Sequence, residues 1–221
     1  MSIAAEAFAD NSLSPHVRGF LHRPEKSPAD ALVLTHGAGG NCRGALLVAL
    51  AEAFAGSDIT VLRCDLPFRQ ERSYGPPRPG DAVKDRQGLK NACTALRKLV
   101  PGRIFLGGQS YGGRQATMLC AEESALADGL LLLSYPLHAP GRPDQLRTQH
   151  LPNLRVPSLF VHGTKDPFGS IPEIEAALKL IPAKVSLLPV ENVGHDLGFK
   201  GKARREDLPG IILREFQSFF A

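Results

Sequence analysis

Apolar residues along the chain fall into two patterns that take turns. Short, nearly unbroken apolar runs occur at 31–35 (ALVLT), 59–64 (ITVLRC), 103–107 (RIFLG), 129–134 (GLLLLS), 157–161 (PSLFV) and 185–190 (VSLLPV). Runs of that length without a polar face suit parallel strands covered on both sides. Between them lie longer stretches with apolar residues at helical spacing. Leu46, Leu47, Leu50, Ala51 and Phe54 predict a helix near 43–55, and Val83, Leu89, Cys93, Leu96 and Val100 predict another near 81–100, with Asp81 placed to cap it. Ser110 opens a third, to about Glu123. The S-x-x-E of Ser170–Glu173 has capping-box form and begins a fourth, through Leu180. The last spans about 205–220 and buries Ile212, Phe216 and Phe219.

Strand and helix alternating six times predict one α/β domain over residues 1–221: a mostly parallel sheet with helices on both faces. Val17–Leu21 reads as an antiparallel strand joined to the first edge. Two proline-rich loops, 67–80 (PFRQERSYGPPRPG) and 136–157, follow strand ends, where open α/β sheets put their ligands. Neither is long enough to be a separate lid domain.

Composition narrows the function classes. The chain has 221 residues, 43% hydrophobic and 22% charged, with a net charge of +4. That is ordinary for a soluble domain, and no block of like charge suggests a nucleic-acid arm. Cys42, Cys64, Cys93 and Cys120 are scattered, without a C-x-x-C pair or a histidine at ligand spacing. They read as free thiols of a reducing compartment, with no zinc site. The N-terminus (MSIAAEAFAD) carries acid where a signal peptide carries base, and no apolar stretch approaches the ~20 residues of a membrane span. The expectation is a cytoplasmic protein with no cofactor, no metal, no membrane and no nucleic-acid partner.

The chemistry concentrates in FLGGQSYGGRQA, residues 105–116. Gly108-Gln109-Ser110-Tyr111-Gly112 fits G-x-S-x-G, between an apolar run and a helical pattern. In that context it is a nucleophile elbow, a turn so sharp that small residues must flank the serine. A serine hydroxyl needs a base beside it. Chain order for such a site puts an acid after a later strand and a histidine after the last one. LFVHGTKD supplies Asp166 and VENVGHDLG supplies His195. Glu191 and Asp196 are competing acids, but they sit beside His195 itself. The negative oxygen of a tetrahedral intermediate would be met by the N–H of Tyr111 and by one from the loop THGAGG, assigned to Ala38.

HGAGG after the first parallel strand, then GGQSYGG, HGTKD and GH in order, resemble the α/β-hydrolase superfamily across nearly the whole chain. The PFRQ…PPRP loop and Arg114 are similar to a small lidless branch, the KANL/TEX-type hydrolase-like proteins related to dienelactone hydrolases. The resemblance implies a serine-hydrolase fold. That branch also contains non-catalytic scaffold subunits, so two functions stay open: hydrolysis of a small ester or thioester through an acyl-enzyme, and binding by a catalytically silent relative. A small acyl compound is the expected substrate, since there is little room for a lid.

Other polar residues carry two readings each. Arg69, Arg72 and Arg114 either form salt bridges holding the PFRQ loop or clamp an acidic substrate, with Arg69 and Arg114 the candidate clamps. His36 and His162, at strand ends, are structural or line the site. His138 and His150 line an entrance or lie on a surface loop. The run Lys200–Arg205, which includes Lys202 and Arg204, is a solvated loop or an attractor of anions.

Overall fold

The computed structural model describes residues 4–25, 29–200 and 204–221, so Lys202 of the basic run lies outside the described residues. Eight strands form one sheet: β1 (Ala5–Asp10), β2 (Val17–His22), β3 (Asp30–Thr35), β4 (Ile59–Cys64), β5 (Ile104–Gln109), β6 (Gly129–Leu133), β7 (Ser158–Gly163) and β8 (Val185–Val190). Their order across the sheet is β1-β2-β4-β3-β5-β6-β7-β8. β1 and β2 run antiparallel at one edge, and every pairing from β4 to β8 is parallel.

The continuous apolar runs divide their residues between the two faces, as the two-residue period of a strand demands. Val33, Leu62, Leu106, Leu130, Leu132 and Phe160 enter one core. Leu32, Leu34, Val61, Phe105, Leu131, Leu133, Leu159 and Val161 enter the other. Helices α3 (Asp81–Arg97), α4 (Tyr111–Glu122) and α5 (Ile171–Leu178) cover the first face; α1 (Ala45–Ala55) and α6 (Leu208–Phe219) cover the second. The predicted α/β architecture is the observed one. No helix of the described residues is long and apolar enough to cross a membrane.

The differences have local causes. β1 was not anticipated, because AEAFAD is an exposed edge hairpin whose apolar content is mostly alanine. The segment read wholly as a proline-rich loop begins with a short helix, α2 (Pro67–Glu71), with proline at its first position, where a missing N–H costs nothing. Asp81 does not cap α3: Gly80, at φ 94°, takes that place, and the Asp81 carboxylate instead accepts from the Arg78 N–H at 2.6 Å and pairs with Arg72 at 2.6 Å. Arg72 thus fulfils the salt-bridge reading for the loop.

The sheet order places the site. The chain steps from β3 outward to β4 on one side, then returns to β5 on the other. Loops leaving β3 and β5 therefore diverge, opening a crevice at the strands' carboxyl ends.

Burial also sets an acid limit to stability. His22 and His150 are pushed down to about 4, chiefly by burial and further by neighbouring arginines. In the unfolded chain both return to ordinary values near 6.5. Below that pH the unfolded state binds the extra protons, so stability is whole above pH 6.5 and falls as pH drops toward 4. We expect the melting temperature to decline between pH 7 and pH 5. A His22→Gln/His150→Gln variant, compared by calorimetry, should show a shallower decline. Equal slopes would contradict this origin.

Candidate active site

Ser110 stands between β5 and α4 with φ 51° and ψ −116°, a strained conformation for a residue with a side chain. Its own N–H donates to the Leu133 carbonyl at 2.8 Å, and its carbonyl accepts from Arg114 N–H at 2.9 Å. The turn closes because glycines let backbones touch. A Cβ on Gly108 would lie 2.6 Å from the Gly113 nitrogen, and one on Gly112 would lie 2.5 Å from the His36 carbonyl oxygen. Gly112 is therefore what brings the start of α4 against the loop after β3.

The structure brings the three predicted residues into one hydrogen-bonded chain. Ser110 Oγ lies 2.8 Å from His195 Nε2, and His195 Nδ1 lies 2.8 Å from Asp166 Oδ2. A carboxylate can only accept, so Nδ1 carries the proton and Nε2 accepts from the serine hydroxyl. Asp166 is buried after β7 and anchored, its Oδ1 accepting from the Phe168 N–H at 2.9 Å. The competing acids are elsewhere: Asp196 accepts from the N–H groups of Gly198 and Lys200 in its own turn, and Glu191 is exposed.

Phe168 was missed from sequence. Its ring stacks on the His195 imidazole, centroids 4.1 Å apart and planes 28° apart, while its backbone N–H holds Asp166. One residue thus fixes both partners of the serine. Its place two positions after the acid, in Asp166-Pro167-Phe168, is the only available signal. His162 sits deeper: its Nε2 donates to the Gly169 carbonyl at 2.8 Å and lies 3.7 Å from Asp166 Oδ2. Burial pushes His162 down, so it stays neutral beside the carboxylate.

The loop after β3 runs alongside the serine, close enough that a Cβ on Gly37 would stand 3.3 Å from Ser110 Cβ. The Gly37 carbonyl accepts from Gly40 N–H at 3.0 Å and from His36 Nδ1 at 2.8 Å. Since C=O and N–H of a trans peptide point opposite ways, those bonds also fix where the Ala38 N–H points. His36 is itself held, its Nε2 accepting from the Leu66 N–H at 3.1 Å. Neither Ala38 nor Tyr111 spends its N–H on a partner among the described residues.

Arg69 is neither a substrate clamp nor a salt-bridge partner, which corrects both expectations for it. It is buried, and it donates from Nε to Gly40 O at 2.8 Å, from Nη2 to Ala38 O at 2.9 Å and Gly75 O at 2.8 Å, and from Nη1 to Arg72 O at 3.1 Å. These bonds tie the loop after β3 to the proline-rich loop. The sequence shows a cation in a loop; it does not show that carbonyls, rather than an acid, will surround it. Arg69→Met should disorder the donor loop and lower kcat about 10²-fold, the cost of one mispositioned oxyanion donor. Steady-state kinetics on a chromogenic ester would check this; a change confined to KM would return Arg69 to the substrate.

Tyr111 has a similar support. Its hydroxyl donates to Asp85 Oδ2 at 2.7 Å, while Asp85 Oδ1 accepts from the Phe68 N–H at 3.0 Å. Burial pushes the Asp85 carboxyl up, and burial with the adjacent acid pushes the Tyr111 phenol up, so the phenol remains the donor. Arg114 lies one turn into α4 and forms no ion pair with the PFRQ loop or any other described residue. His150 is not a free surface residue: its Nε2 lies 2.8 Å from Thr117 Oγ1. Among the described residues no group of three or more His, Cys, Asp or Glu is arranged to hold a metal.

Comparison with known proteins places the fold. The family model described as alpha/beta hydrolase domain matches residues 28–209. A dienelactone hydrolase from Anabaena variabilis superposes with a TM-score of 0.74 at 17% identity, covering 99% of both chains. Est1E from Butyrivibrio proteoclasticus gives a TM-score of 0.74 at 16% identity over 97% of this chain and 98% of its own. XC6422 from Xanthomonas campestris, described as an α/β serine hydrolase without lid, gives 0.70 at 17% identity over 99% and 96%. At such identities the likeness is one of fold.

Proposed function

The chain belongs to the alpha/beta hydrolase family, and from that premise we propose that it is a serine hydrolase cleaving small esters or thioesters through an acyl-enzyme on Ser110. The observation that carries this reading is the unbroken chain Ser110–His195–Asp166, with 2.8 Å at each link, ending on a serine held at positive φ.

In the first half-reaction Ser110 Oγ bonds to the carbonyl carbon while its proton passes to His195 Nε2. The resulting imidazolium is stabilised by Asp166 through Nδ1–H. The carbonyl oxygen, now negative, takes hydrogen bonds from the N–H groups of Tyr111 and Ala38, aimed in advance by Asp85 and by the Gly37, His36 and Arg69 contacts. The intermediate collapses, the C–O or C–S bond breaks, and His195 returns its proton to the departing alcohol or thiol. Water then attacks the acyl-serine, giving its proton to His195; collapse restores the serine and releases the acid. Stacked Phe168 restrains the imidazole between its two proton partners.

The connections between elements favour a small substrate, since among the described residues none forms a separate domain over the crevice. Four buried free cysteines support a reducing, cytoplasmic setting. The test is pre-steady-state hydrolysis of 4-nitrophenyl acetate and of an acetyl thioester. We expect a burst of one leaving group per chain and a protein mass raised by one acetyl group. A cooperatively folded sample that turns over neither compound would overturn the reading and favour a binding role.

A further inference from the structure

Arg114 is a cation without employment. It follows Ser110 by one turn, roughly 5–6 Å along the axis of α4, and its backbone N–H is bonded to the Ser110 carbonyl. Its guanidinium makes no hydrogen bond among the described residues, and its Nε is buried without a partner. Arg69 and Arg63, the buried arginines, both use their Nε and further N–H groups. A donor left unpaired away from water is costly, so its retention calls for a partner that comes from outside the chain.

The surroundings supply more positive charge, and no carboxylate among the described residues pairs with Arg114. Arg147, from the segment after β6, donates from Nη1 to Pro136 O at 3.2 Å and has no carboxylate partner. Burial pushes Arg147 down, and repulsion from Arg114 adds to it. Arg86 approaches from α3, bonded to Gln115 Oε1 at 3.2 Å and 3.8 Å from the exposed Glu122. His150, held by Thr117, feels both Arg86 and Arg114 and stays neutral. The hydroxyls of Tyr111 and Tyr135 are already committed to Asp85 and to the Arg147 carbonyl. Asp85, the buried acid of α3, is spent on Tyr111 and Phe68.

We propose that Arg114, with Arg147 beside it, is an anion subsite of the Ser110 centre, so that the substrate is an ester or thioester carrying a carboxylate or phosphate about one helical turn from the scissile carbonyl. The planar guanidinium of Arg114 offers a fork of N–H donors suited to the paired oxygens of either anion. The reach corresponds to a spacer of two to four carbons, as in a half-ester of a short dicarboxylic acid. This inference rests on the hydrolase reading above and deepens it. It also explains why the site needs no large apolar lid: charge, instead of buried hydrocarbon, would select the substrate.

The experiment compares 4-nitrophenyl hydrogen glutarate with 4-nitrophenyl valerate, matched in length and differing in charge. For the native chain we expect kcat/KM to favour the glutarate ester by about 10–100-fold, the range of one charge-assisted contact. Arg114→Gln should bring the ratio toward one, chiefly through KM for the glutarate ester; Arg114→Lys should restore part of it. Should Arg114→Gln fail to fold, Arg147→Gln carries the same comparison with a smaller loss. Protection of Ser110 from a neutral fluorophosphonate by free glutarate or by inorganic phosphate then identifies which anion the subsite takes. Equal ratios in the native chain and Arg114→Gln, or no protection by either anion, would overturn the inference. Failure of the hydrolase reading is distinguishable: the fluorophosphonate would not label at all, while glutarate or phosphate would still raise the melting temperature of the native chain and not of Arg114→Gln.

Discussion

Asp166→Asn is expected to lower kcat about 10³–10⁴-fold while leaving the fold intact. The reason lies in proton direction. Asp166 Oδ2 accepts from His195 Nδ1 at 2.8 Å, which reserves Nε2 for the Ser110 hydroxyl. An asparagine amide is nearly isosteric but presents N–H₂ as readily as C=O. The amide also accepts on one side, where Phe168 N–H already donates to Oδ1. Its NH₂ is thereby turned toward His195, which must accept at Nδ1 and carry its proton on Nε2. The ring then faces Ser110 with a donor instead of a base. KM should change little, since Asp166 is buried and bonded to the far ring nitrogen of His195, away from Ser110. Steady-state kinetics with a thermal melt checks this; a residual rate within tenfold of native would show that another group serves as the acid.

The second large effect concerns folding. Gly112→Val is expected to destabilise the chain by at least about 3 kcal/mol, enough to reduce the yield of soluble protein markedly. A Cβ there would stand 2.5 Å from the His36 carbonyl oxygen and 2.6 Å from Thr35 Cγ2, and both neighbours are buried, Thr35 ending β3 and His36 following it. Neither can withdraw, because His36 is bound through both ring nitrogens and Thr35 is buried within the sheet. The alternative is for α4 to lift, which would carry Tyr111 N–H away from Ala38 N–H. Gly112→Ala makes the milder version of the same clash and should lose activity more steeply than stability. Chemical denaturation of both variants beside kinetics separates the two effects. A native-like melt for Gly112→Val would mean that the loop after β3 yields more than its hydrogen bonds suggest.

Why so much of this site could be read without coordinates is itself physical. Parallel strands buried on both faces must be apolar throughout, so Leu130 through Leu133 announce β6 with no competing interpretation. The elbow advertises itself because Gly108, Gly112 and Gly113 are forced by backbone contact, and few other geometries need three glycines there. Asp166 and His195 follow from chain order once the strands are counted. What stayed hidden depends on partners far apart in sequence. Arg69 meets Ala38 and Gly40 across a separation of about thirty residues, and nothing local distinguishes a guanidinium that caps carbonyls from one that meets an acid. Arg114 stayed open between a salt bridge and a clamp for the same reason; its lack of an ion-pair partner among the described residues speaks against the salt bridge. β1 and α2 were missed because an alanine-rich edge hairpin and a five-residue helix carry too little periodicity to stand out.

In the proposed mechanism, the supports around Tyr111 and Ala38 aim the two oxyanion donors. Asp85 accepts from the Tyr111 hydroxyl, His36 donates to the Gly37 carbonyl and Arg69 donates to the Ala38 carbonyl, and each of the three is buried. Conservative replacements at those positions should therefore affect turnover before they affect binding.

The most direct test of the account is to treat the folded chain with a neutral fluorophosphonate and measure intact mass, with Ser110→Ala alongside. The account predicts one adduct per chain, on the peptide containing Ser110, absent from Ser110→Ala and slowed strongly in Asp166→Asn. An unlabelled native chain that still melts cooperatively, or an adduct that persists in Ser110→Ala, would contradict it.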